Sequence, residues 1–169
     1  MRISVHTMSV ESFVPMLNGL ARILDKAAQH ASAKKFDPAV LVQARLAPDM
    51  FPLAKQVQIA CDFAKNSTAR LIGTDPPRFE DKEQTLDELK ARVARTLDYL
   101  QSVRADAFEG AEDRDIKIPL PNNQTLEFKG LAFLRAWALP NFYFHLVTAY
   151  DILRHNGVDI GKRDYLNSV

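Results

Sequence analysis

The sequence predicts an all-α fold, a four-helix bundle with a short β-hairpin between helices three and four. Three observations carry this expectation. Four long segments repeat apolar residues at three- and four-residue steps, capping and breaking residues punctuate them, and one stretch between residues 116 and 128 changes to a two-residue period. At 169 residues the chain is long enough to bury one core without disulfides or structural metal, so one domain over 1–169 is expected.

Helix one is expected from about Ser4 to Ser32, because Val5, Met8, Phe13, Leu17, Leu20, Ile23, Leu24 and Ala27 share a face. Pro15 lies inside that pattern. Either a kink falls near it, or the helix starts around Ser12 with proline in its first turn. Asp37 before Pro38 caps a short helix, Ala39 to Gln43, and Arg45 to Met50 reads as a loop. Asp49 is then the expected cap of a second long helix from about Phe51 to Ile72. Its seam of Leu53, Val57, Ala60, Ala64, Ser67 and Leu71 is rich in small side chains.

Gly73 to Pro77 ends that helix, and a polar linker runs to about Gln84. Thr85 with Glu88 is a capping-box signature for helix three, which reaches roughly Ser102 and presents a charged outer face. Ile116 to Ile118 and Thr125 to Phe128 alternate around the turn residues Pro121-Asn-Asn123, predicting a hairpin. Helix four is expected from about Gly130 to Asn156, with Gly157 available for a left-handed cap. Its apolar residues Phe133, Leu134, Trp137, Phe142, Phe144, Leu146, Val147, Ile152 and Leu153 surround the axis, so it should be the most buried member.

Composition excludes several function classes. Twenty-two basic and 21 acidic side chains leave a net charge of +1, so no global field attracts nucleic acid or an anionic bilayer. No stretch approaches a membrane span, the N-terminus lacks a leader pattern, and the single cysteine, Cys61, forms no intramolecular disulfide. A cytoplasmic protein is expected. No serine-nucleophile elbow or phosphate-binding glycine loop is present.

The candidate site is on helix four. Trp137, Asn141, His145, Thr148 and Ile152 fall on one helical stripe, so an amide, an imidazole and a hydroxyl share a face with core residues. Burying them without partners costs several kcal/mol, so the stripe faces either a satisfied polar network or a pocket.

Several stretches carry a resemblance. The segment ending Ala149-Tyr-Asp-Ile-Leu-Arg-His-Asn-Gly157-Val158 resembles the last helix of the DinB/YfiT-like superfamily. Leu46 to Lys65, Phe108 to Arg114, Leu139-Pro-Asn-Phe-Tyr-Phe-His145 and Gly157 to Asp164 resemble one bacterial family of unknown function within it, over nearly the whole chain. The resemblance implies a DinB-like bundle and a homodimer. It also implies a divalent metal held by one histidine on helix two and an H-x-x-x-H pair on helix four, in proteins some of which transfer thiols or hydrolyse amides. Matched to that helix, His145 falls on the second histidine and Asn141 on the first. Helix two has no histidine and offers Gln56, Gln58, Cys61 and Asp62 near the expected place. One strong ligand does not hold zinc or nickel tightly, so no metal cofactor is expected.

Three readings follow. The preferred one is a non-catalytic small-molecule-binding or accessory protein that lacks the histidine triad and keeps a pocket near Gln56, Trp137, Asn141, His145 and Thr148. Gln56 enters only through the resemblance. The second is a divalent-metal-dependent thiol transferase or hydrolase using His145 with Asp62. The third is a purely structural or interaction protein in which the stripe is buried and His145 bonds Asn141 or a helix-two glutamine. Cys61 reads as a small hydrophobe, and Asp62 as a solvated or salt-bridged carboxylate.

Overall fold

The computed structural model describes residues 4–120 and 122–166. Its long helices are α1 (Val5–Lys34), α3 (Leu53–Ile72), α4 (Leu86–Ser102) and α6 (Leu139–His155). Short helices are α2 (Ala39–Gln43), α5 (Gly130–Phe133) and α7 (Lys162–Tyr165), and β1 (Asp115–Pro119) pairs antiparallel with β2 (Thr125–Lys129) between α4 and α5. No helix among the described residues is long and apolar enough to cross a membrane.

α1 starts at Val5 rather than near Ser12, because Ser4 Oγ accepts the Thr7 amide at 3.1 Å. Pro15 sits inside it and is exposed, as is Glu11, whose carbonyl loses its helical donor. Water is therefore available to that carbonyl. Asp37 caps α2 by accepting the Ala39 amide at 2.9 Å, and the Thr85–Glu88 capping box opens α4.

The expected cap at Asp49 is not used: α3 starts at Leu53 with Pro52 as its cap residue. A residue preceding proline is pushed into extended backbone, so Phe51 does not join the helix. In the hairpin, Asp115 pairs with Lys129 and Pro119 with Thr125. Asn123 takes the left-handed conformation at φ 62°, while Pro121 of the expected turn lies outside the described residues.

Helix four is not one regular helix. α5 passes into a π turn, Leu134–Ala138, and then α6, with the Leu139 amide bonded to the Leu134 carbonyl five residues back. Pro140 follows at once and has no amide hydrogen to donate, so the normal ladder cannot continue through it.

α1 and α3 each pack against the other three long helices, and α4 and α6 flank that pair from opposite sides. The most enclosed member is therefore α3 rather than helix four: 13 of its 20 residues are buried, against six of 17 in α6. Phe144 and Val147, expected inside, are exposed on the outer side of α6. The small seam of α3, with Ala60, Cys61 and Ala64 fully buried, is what allows neighbours to approach from several directions.

Two further segments are anchored to the bundle. The Arg114 guanidinium donates to the Leu71 carbonyl at 3.0 Å, clamping the turn before the hairpin onto the end of α3. The tail folds back, with α7 packed on α1 and Lys26 and Asp164 paired at 2.7 Å.

Candidate functional site

α3 and α6 make the most extensive helix contact in the bundle, and the candidate stripe faces it. Gln56, early in α3, meets His145, well along α6. Phe63 and Ser67, farther along α3, share a cleft with Trp137, which precedes α6. The two helices therefore run antiparallel.

His145 Nδ1 lies 2.7 Å from Gln56 Oε1. The amide orientation follows from its other end, where Gln56 Nε2 donates to the Phe51 carbonyl at 3.2 Å. A carbonyl only accepts, so the NH2 group faces Phe51 and the amide oxygen faces the imidazole. Neutral His145 then carries its proton on Nδ1, and its Nε2 lone pair has no hydrogen-bond partner among the described residues. Burial lowers the His145 pKa below the ordinary histidine value, which favours this neutral form. The Phe63 ring is stacked nearly parallel to the imidazole, 6.0 Å between centroids, and Phe144 meets it edge-on at 5.2 Å.

The other stripe residues turn elsewhere. Asn141 Nδ2 donates to the Trp137 carbonyl at 2.8 Å, and the Thr148 hydroxyl returns to the Phe144 carbonyl at 2.7 Å. Asn141 is drawn back to a carbonyl at the end of the π turn, where the regular ladder is interrupted. Trp137 lines the cleft beside Phe63 and packs against Phe128 at 6.2 Å. Of the five candidates, Gln56 and His145 are brought together directly, Trp137 lines a separate cleft with Phe63 and Ser67, and Asn141 and Thr148 bond within their own helix.

A charged network is centred on Arg92, whose side chain is fully buried. Its Nη2 contacts Asp62 at 2.8 Å and Asp81 at 2.9 Å, while Nη1 contacts Glu83 at 3.0 Å and the Glu80 carbonyl at 3.1 Å. Lys65 pairs with Asp62 at 3.1 Å, Lys55 with Asp81 at 2.6 Å, and Gln58 donates to Glu83 at 2.9 Å. Three cations thus balance three carboxylates and strap the 74–84 linker across α3 and α4. Arg92 departs from the charged outer face expected of helix three. Its spacing was informative, because it lies three residues after Leu89 and four before Thr96, on the inward stripe opposite an acidic linker.

This network bears on metal chemistry. Asp62, the carboxylate considered beside His145, is already engaged by Arg92 and Lys65. Among the described residues no group of three or more His, Cys, Asp or Glu side chains is placed to hold a metal ion. The donor set does not fit a chelated zinc or nickel, which needs several converging ligands. Burial pushes the Cys61 thiol up to about 12, so it stays protonated and is not a nucleophile at neutral pH.

Comparison with other proteins identifies the family. Residues 5–166 match the profile described as "Domain of unknown function (DUF1993)". The crystal structure of a DinB family member protein from Shewanella denitrificans superposes with a TM-score of 0.90 at 45% identity, covering 98% of this chain and 93% of that one. No curated protein matches the chain. With the bundle and the hairpin already established, these matches show that the chain belongs to the DUF1993 family, within the DinB-like superfamily.

Proposed function

We propose that the protein is a cytoplasmic, non-catalytic small-molecule-binding or accessory protein that uses the position of a superfamily metal site as a hydrogen-bonding site. The observation that carries this reading is the Phe51–Gln56–His145 relay, which orients the imidazole and leaves Nε2 as an unprotonated acceptor. Such orientation by a second group is what a ligating or accepting histidine needs. A single imidazole without converging anionic ligands among the described residues suits a neutral hydrogen-bond donor better than a metal ion. The metal-dependent transferase reading would require Asp62 to leave two cations.

Nitrogen-15 NMR of the His145 imidazole tests the proposal during a fragment screen on protein purified without a histidine tag. Fragments that carry an N–H or O–H donor are expected to shift His145 Nε2, with the response lost in His145→Leu. If no fragment perturbs that nitrogen, the binding reading fails. Stoichiometric zinc, nickel or manganese binding that disappears in His145→Ala would replace it with the metal-dependent reading.

A further inference from the structure

A different ligand chemistry is built farther along the same α3 face. Phe63, Ser67 and Arg70 of α3, with Phe133 and Trp137 from the other side, line a cleft of about 190 Å3. That is roughly six waters at about 30 Å3 each, room for one aromatic ring with a short polar substituent. Three aromatic side chains form apolar walls, so the ring has surfaces to stack on.

The polar groups specify the substituent. Arg70, in the last turn of α3, is half-buried and makes no ion pair among the described residues; burial alone depresses its pKa. A guanidinium removed from water without a counter-ion is costly, and its planar donor fork matches a carboxylate. Ser67 is 1% exposed, and its Oγ has no hydrogen-bond partner among the described residues. Thr68, Thr96 and Thr148 each return their hydroxyl to the carbonyl four residues back, so the orphaned Ser67 hydroxyl is a local departure. Asp62 also lines the cleft and disfavours a dianion such as phosphate; its pairing with Arg92 and Lys65 offsets part of its repulsion of a singly charged carboxylate.

We propose that this cleft binds a small aromatic monocarboxylate, with Arg70 holding the carboxylate, Ser67 donating a hydrogen bond to it, and the ring lying among Phe63, Phe133 and Trp137. The site is distinct from the Gln56–His145 pair, because Phe63 stands between them with its ring against the imidazole. It does not depend on the function proposed for that pair.

Trp137 is the chain's single tryptophan, so its fluorescence reports directly on this cleft. Phenylacetate is the probe, and phenylacetamide, of the same shape without the charge, is the control. Saturable quenching by phenylacetate is expected, weakened about tenfold or more in Arg70→Gln and for phenylacetamide, as for a lost charge-assisted bond. Ser67→Ala should weaken it several-fold. Should Arg70→Gln fail to fold by circular dichroism, Arg70→Lys keeps the charge but not the fork and is expected to bind less tightly than the parent. The proposal is overturned by absence of a saturable response, by equal affinity for phenylacetamide, or by unchanged affinity in the Arg70 variant.

Discussion

His145 and Arg92 are the two side chains whose placement has the largest consequences. Burial lowers the His145 pKa, so protonation favours the unfolded chain. The stability it contributes is fully present above the ordinary value of 6.5 and declines as pH falls from there through the lower folded value. A thermal-melting series from neutral to mildly acidic pH should show this decline, and His145→Leu should flatten it. The same variant leaves Gln56 Oε1 buried without its donor, a cost of about 1–3 kcal/mol measurable by urea unfolding. For Asp81 and Glu83, burial alone would raise the pKa. It is outweighed for Asp81 by Lys55 and Arg92, and for Glu83 by hydrogen bonds led by Arg92, so both titrate below the ordinary carboxylate values. Their contribution is present above those ordinary values and is lost as pH falls through the lowered folded ones. Arg92→Ala should cost about 3 kcal/mol at neutral pH, the low end for a broken buried pair because Asp62 and Asp81 are partly exposed, and should blunt the acid-induced loss of stability.

Among the elements, the passage from hairpin to α6 is the most constrained. A Cβ built on Gly130, at the start of α5, would stand 1.8 Å from the Ala111 carbonyl oxygen. Backbone cannot yield as a side-chain tip can, so Gly130→Ala should destabilise the protein by about 1–3 kcal/mol and lower its Tm by calorimetry. Should this variant melt with the parent, the contact between the turn at Ala111 and α5 is not part of the native packing. The π turn just beyond it governs which way Trp137 and Asn141 point. A helix of regular pitch from Gly130 would distribute those two side chains differently relative to His145.

For the whole molecule, Phe144 and Val147 on α6 and Phe51 beside the start of α3 are exposed apolar residues; Phe144 meets the His145 ring, and the Phe51 carbonyl accepts from Gln56. We propose that a second copy of the chain covers Phe144 and Val147, because the resemblance implies a homodimer and a closed twofold pair is the commonest oligomer of soluble chains. Sedimentation equilibrium should give a dimer for the parent and a monomer for Phe144→Glu. A parent that stays monomeric at high concentration rules the interface out.

The hydrophobic periods, the Thr85–Glu88 capping box, the Asp37 cap and the alternation around residues 116–128 specify this fold locally, which is why helices and hairpin were legible from the chain, whereas the superfamily was legible only through the resemblance of segments such as Leu139 to His145. His145 and Gln56 were legible as candidates, one by its stripe and the other by resemblance. Their 2.7 Å contact was not, because it joins residues 89 positions apart and depends on how two helices pack. The same limit hid the burial of Arg92, which requires an acidic linker to fold over it, and the exposure of Phe144, which an apolar run does not reveal. Local periodicity determines which residues form helices. Only tertiary packing decides which faces of those helices meet, and it made α3 the enclosed helix, bonded Asn141 and Thr148 within their own helix, and left His145 to reach across.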